Sequence, residues 1–363
     1  MSEYEHGYPF DPAYGRTLGE LLDIPAPAPP DGFDAYWQDR FAAAAGVATA
    51  PAVGPQEDER DGCRIFGVTY TSVGGLRLGG WLVLPAEGPA EHGFVIGHGY
   101  GGRQEPGADV PLPLPRSAAV LPCVRGMGSR SRRPGIPGEA DGHVLYGIES
   151  RETYVIGDCV ADLWCAASAL LELVPELSTG PGPGRGPGPG RGPGPGPDPG
   201  PGPGPGPGAA PAPAPGGGAR LGYVGESFGG GLGALALPWD DRFACGQLTV
   251  PTFGNHPLRV TLPSVGSGEA VREYREEHPE VMDVLAYFDA ATAASRIEVP
   301  MMVAPALFDP AVPPPGQFAV YNALPEPREL HVLGAGHFEY AAGSADMEAL
   351  TEARRGFFAA RLG

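Results

Sequence analysis

No stretch of this chain approaches the roughly 20 consecutive apolar residues that a membrane-spanning helix needs, so no membrane span is expected. Positive charge is scarce: 24 basic residues face 43 acidic ones, for a formal charge of −19. A surface that acidic repels phosphate backbones and anionic lipid, which argues against nucleic acid or a membrane as partner. Cysteine is sparse. The five present (Cys63, Cys123, Cys159, Cys165, Cys245) show neither CxxC nor zinc-finger spacing. Each sits among apolar neighbours, which predicts buried free thiols. The segment from Met1 to Pro12 has no basic n-region and no apolar h-region. Together these features predict a cytoplasmic protein.

Glycine and proline, by contrast, are abundant in one place. From Gly180 to Gly218 the chain is almost entirely Gly and Pro, broken by Ala, Arg185, Arg191 and Asp198. Its period of two excludes a collagen helix, which needs Gly at every third position. Proline removes backbone donors and glycine raises the entropy cost of ordering, so the tract is expected to be an extended, disordered surface loop. Without its 39 residues, 324 of the 363 remain, a comfortable single α/β domain. The expected division is an extension over residues 1–60 packed on a core over 61–363, with 180–218 inserted in that core. Within the extension, Phe33 to Phe41 predicts a short amphipathic helix.

The flanks place the insert. Ser150 to Leu177 carries apolar residues near helical spacing, and Arg220 to Gly225 reads as a short buried strand. The tract therefore falls in a helix-to-strand connection. Arg64 to Tyr70 and Leu76 to Leu84 read as paired strands. Gly93 to Gly97, Ala118 to Arg125, Pro300 to Phe308 and Glu329 to Leu333 are further short apolar runs. Helical patterns span Val271 to Tyr287 and Met347 to Leu362. The alternation predicts a mostly parallel sheet covered by helices on both faces, with ligands bound beyond the carboxyl ends of its strands.

Ser227 lies in Gly225-Glu226-Ser227-Phe228-Gly229, after a strand and before the small-residue stretch Gly230 to Leu237. This is the nucleophile-elbow pattern in its strand–turn–helix context. A serine hydroxyl needs a base, and the base an orienting carboxylate, in the chain order Ser, acid, His. Of the downstream histidines, His331 falls within an apolar strand run, His278 in a charged helical stretch and His256 in an irregular segment. His337 alone follows a strand and the tight turn Gly334-Ala335-Gly336. Asp309 follows the apolar run 300–308, whereas Asp240, Asp241, Asp283 and Asp289 read as helical or surface residues. Donors for an oxyanion are expected from the N–H of Phe228 and from Tyr100, in the loop His98-Gly99-Tyr100-Gly101-Gly102. No second ligand stands at a useful spacing from His98, so it reads as structural and no metal site is expected.

Several segments together resemble the acetyl xylan esterase / cephalosporin-C deacetylase family, carbohydrate esterase family 7. They are Gly80 to Pro85, the HGYGG loop, Val124 to Gly128, Gly147 to Tyr154, the GESFGGG elbow, Asp309 to Asn322 and Gly336-His337. The resemblance implies an α/β-hydrolase fold with Ser227 as nucleophile, Asp309 as acid, His337 as base and Tyr100 on the oxyanion loop. It also implies removal of acetyl groups from short acetylated sugars or cephalosporins, no cofactor, a cytoplasmic location and a homo-oligomeric assembly. Three positions depart from the family pattern: Met127 and Phe228 replace glutamines, and Phe338 separates His337 from Glu339. Two rival readings stand beside this one, a hydrolase for other esters or peptides and a catalytically silent scaffold.

Overall fold

In the computed structural model, residues 4–178 and 221–363 are described; the Gly-Pro tract and the expectations placed on it lie outside them. Nine strands form one sheet: β1 (Ala52–Arg60), β2 (Cys63–Thr71), β3 (Arg77–Pro85), β4 (His92–Ile96), β5 (Ser117–Pro122), β6 (Leu221–Glu226), β7 (Phe243–Thr249), β8 (Met301–Ala304) and β9 (Arg328–Leu330). Their order is β1-β2-β3-β5-β4-β6-β7-β8-β9. The first four strands in this order pair antiparallel, and from β5 to β9 the sheet is parallel. The α/β layering anticipated from the sequence is therefore present.

Strand side chains alternate between two faces, and here both faces are dry. Val95, Tyr223, Leu248 and Val303 enter one apolar core with the helices Val155–Leu173 and Phe228–Ala236. Their neighbours Phe94, Ile96, Val224, Met302 and Ala304 enter a second core, closed by Phe357 and Phe358 of the helix Gly343–Leu362. Burial on both sides explains why these strands read as continuous apolar runs. All five cysteines are buried thiols outside any disulfide. Among the described residues no helix is long and apolar enough to cross a membrane.

Several boundaries differ from the sequence expectation. The helix expected over Ser150–Leu177 spans Val155–Leu173, because Ser150 to Thr153 form a turn that Glu152 and Thr153 bond locally, and Pro175 stops its far end. The pattern over 271–287 is two helices, Ser267–Glu277 and Val281–Leu285, parted at Pro279. The run 118–125 leaves the sheet at Pro122 and the run 300–308 at Ala304, so Asp309 stands on a loop beyond β8. His331 lies just past β9. A division at residue 60 separates β1 from the sheet it belongs to, since Ala52–Arg60 pairs along β2. The expected helix at Phe33 extends to Ala45 and buries Phe33 and Trp37, with the Trp37 indole N–H donating to the Tyr287 carbonyl.

Candidate active site

β6 ends in the turn that carries Ser227. Its φ of 53° and ψ of −112° hold it outside the ordinary regions, a strain of order 1–3 kcal/mol that surrounding packing must sustain. Gly229 shows why the motif needs glycine. A Cβ there would lie 2.7 Å from the Gly97 carbonyl carbon and 2.9 Å from the His98 nitrogen. The elbow and the loop after β4 thus cross backbone to backbone. Val250, Phe253, Asn255 and His337 also have positive φ.

The structure brings the three candidate residues together. The Nε2 of His337 lies 2.9 Å from the Ser227 Oγ, and its Nδ1 lies 2.8 Å from the Asp309 Oδ2. Asp309 is fully buried, while the His337 side chain is 28% exposed. Burial pushes the His337 pKa down, but the hydrogen bond and charge of Asp309, with Glu226, raise it overall above its ordinary value. The same Asp309 Oδ2 accepts from the Gln317 Nε2 at 2.9 Å, and its Oδ1 accepts from the Ala311 and Val312 amides, both at 2.9 Å. Gln317, fixed in turn by the Ala306 amide, was missed in the sequence. Its only signal there was a polar residue within the otherwise apolar and small-residue run after Asp309. Gly336 lets His337 approach, since a Cβ there would sit 2.4 Å from the Asp309 Oδ2.

Tyr100 and Phe228 meet beside the serine, their rings stacked at 4.0 Å and 15°. Phe228 opens its helix, so its N–H belongs to the first-turn amides without an intrahelical acceptor. His143 and Phe253 close edge-on around the Phe228 ring at 5.9 and 6.0 Å. An aromatic box thereby surrounds the Phe228 side chain. Met127 is buried in the first core, and beside it the Ser129 amide donates to the Arg103 carbonyl at 2.8 Å. Phe338 packs on Phe308 at 4.9 Å and on Tyr4 at 5.7 Å.

His98 has the structural role expected. Its Nε2 accepts from the Val124 amide at 3.1 Å and its Nδ1 faces the Gly99 carbonyl at 2.7 Å, which fixes the tautomer with the proton on Nδ1. Burial drops its pKa to about 3. Among the described residues no three His, Cys, Asp or Glu side chains gather as a metal ion would require. Of the residues read as helical or surface, Asp240 and Asp289 stand at helix ends and are buried: Asp240 pairs with Arg242, and Asp289 is the N-cap of the helix Ala290–Ala294. His256 is buried as well, at the start of the short helix His256–Arg259.

The fold is shared with solved structures. Acetyl xylan esterase 1 from Thermoanaerobacterium sp. JW/SL YS485 matches over 96% of this chain and 100% of its own, with TM-score 0.71 and 18% identity. An acetyl xylan esterase from Paenibacillus sp. R4 matches over 93% and 99%, with TM-score 0.69 and 22% identity. The Pyrococcus furiosus esterase Pf2001 matches over 86% and 100%, with TM-score 0.51 and 13% identity. At such identities the likeness establishes the fold, that of the α/β-hydrolases. The family model for acetyl xylan esterase (AXE1) matches residues 22–176 and 218–351, both sides of the Gly-Pro tract. By that match the chain belongs to the acetyl xylan esterase family and is a hydrolase acting on esters.

Proposed function

We propose that this esterase works through Ser227, His337 and Asp309, and that it removes acetyl groups from short acetylated sugars or cephalosporin-like esters. The observation that carries the reading is the unbroken hydrogen-bonded sequence from the Ser227 Oγ through both nitrogens of His337 to the buried Asp309. His337 Nε2 takes the serine proton as Oγ attacks the ester carbonyl, while the amides of Tyr100 and Phe228 hold the developing oxyanion. The alcohol leaves with that proton. Water, deprotonated by the same nitrogen, then splits the acyl-enzyme and frees Ser227. Asp309 fixes the imidazole tautomer and stabilises its cation. No metal or organic cofactor takes part in this scheme. The reading extends to a homo-oligomer acting in the cytoplasm on a small soluble ester.

Hydrolysis of p-nitrophenyl acetate, butyrate and octanoate by the wild type and Ser227→Ala tests it. Turnover on the acetate, weak on longer chains and reduced at least about a thousandfold by the substitution, is the expected result. Normal activity in Ser227→Ala overturns the assignment of the nucleophile. Equal turnover of the octanoate overturns the deacetylase reading alone.

A further inference from the structure

Arg259 ends the short helix His256–Arg259 and is 4% exposed. Its Nε, Nη1 and Nη2 all lie buried with no hydrogen-bond partner among the described residues. The hydroxyls of Tyr100 and Tyr154 are likewise buried and unpartnered. Three sets of donors in one region thus lack an acceptor. A buried guanidinium with no hydrogen-bonded carboxylate is costly, so its persistence calls for an anionic ligand.

The geometry ties the group to the site. A Cβ on Gly268 would lie 2.7 Å from the Arg259 Nη2 and 3.2 Å from the Ala311 carbonyl oxygen, which sets the guanidinium against the loop that carries Asp309. Tyr100 reaches the other side, stacked on the residue after Ser227. The arginine charge and the Tyr100 and Tyr154 hydroxyls are close enough to influence one another's ionisation. The carboxylates nearby are already committed. Asp289 accepts from the His256, Ala291 and Thr292 amides. Asp309 accepts from Ala311, Val312, Gln317 and His337, and Glu269 is paired with Arg272.

We propose that Arg259, flanked by the Tyr100 and Tyr154 hydroxyls, forms a carboxylate-binding subsite beside Ser227, so that the favoured ester substrate carries a carboxylate. A planar guanidinium fork matches a carboxylate in two parallel bonds, and the phenols donate to its remaining lone pairs. One negative charge balances one guanidinium. A dianionic phosphate would leave excess negative charge beside Asp309 and Asp289. The inference rests on the esterase reading for its substrate but names a residue and a ligand group which that reading leaves open.

Three probes separate the possibilities: p-nitrophenyl acetate, mono-p-nitrophenyl succinate with its carboxylate on the acyl side, and 4-acetoxybenzoate with its carboxylate on the alcohol side. In Arg259→Gln, the ratio of kcat/KM for one anionic probe to that for the acetate is expected to fall about thirtyfold. Tyr154→Phe, which keeps the ring, is expected to lower the same ratio about fivefold. Ratios within twofold of wild type for both anionic probes overturn the subsite, and Tyr154→Phe decides alone if Arg259→Gln does not fold. Should the wild type hydrolyse no ester, the esterase reading falls. Calorimetric titration of wild type and Arg259→Gln with succinate then still decides the subsite, since only an arginine-dependent affinity supports it.

Discussion

At the residue scale, the most informative group is His337, because its protonation state and its geometry are both set by one neighbour. Only the neutral imidazole can take the serine proton, so activity should fall as pH drops through the His337 pKa. Asp309 raises that pKa above the ordinary histidine value, which places the acid limb of kcat/KM above about 6.5. Removing the charge reverses the sign. In Asp309→Asn the limb should move to lower pH, while kcat falls by about 10⁴ because the imidazole loses its orienting acceptor. A pH profile of kcat/KM for p-nitrophenyl acetate checks both parts, and a limb that stays in place would separate Asp309 from the base. Ser227, Asp309 and His337 could be picked from the sequence because each has a local signature: an elbow, an apolar run leading to an acid, and a tight turn. Gln317 and Arg259 have none. Their importance comes from what lies opposite them in space, contributed by segments far away in the chain.

At the scale of elements, the strands buried on both faces were legible as apolar runs, and the Gly-rich elbow helix as small residues. Elements on the rim were not. β1 reads Ala-Val-Gly-Pro-Gln-Glu-Asp-Glu-Arg and is exposed along almost its whole length, so it carries no alternation to detect. Its charges and Pro55 are those of an edge strand guarded against further pairing, and the register slips on either side of Gln56 fit that position. The N-terminal arm was equally silent, yet it reaches the site. The Asp309 amide donates to the Pro12 carbonyl at 3.1 Å, and the Tyr14 hydroxyl donates to the Pro263 carbonyl at 2.7 Å. Tyr4 meets Phe308 at 5.0 Å and Tyr340 at 5.4 Å. The arm therefore braces the loop of the acid from outside. Deleting Met1 to Arg16 removes one backbone bond to that loop and several ring contacts, each worth about 1 kcal/mol. The expected outcome is a kcat about tenfold lower with far-UV circular dichroism unchanged. An unaltered kcat would show that Gln317 and the Ala311 and Val312 amides hold Asp309 without help.

At the scale of the whole molecule, the formal charge of −19 and the orphaned guanidinium pull in opposite directions on a carboxylate substrate. The sequence contains no lysine, so its basic charge is carried by arginines that stay protonated to high pH, and the imbalance persists through alkaline assays. At long range the net charge dominates and repels an anion on approach. Within the site, Arg259 dominates, because its field acts at contact distance in a region from which water is largely excluded. Salt separates the two. Mobile ions screen exposed charges beyond about 8 Å at physiological ionic strength but scarcely touch a buried pair. Raising ionic strength should therefore relieve the repulsion and leave the attraction, so kcat/KM for the anionic probe should rise a few-fold while that for p-nitrophenyl acetate stays flat. A steep fall for the anionic probe would mean that attraction begins outside the site, at a positive mouth rather than at the buried guanidinium. Stopped assays at a series of sodium chloride concentrations distinguish the two directions, and Arg259→Gln should keep the rise while losing the overall preference, because the long-range repulsion does not depend on that one charge.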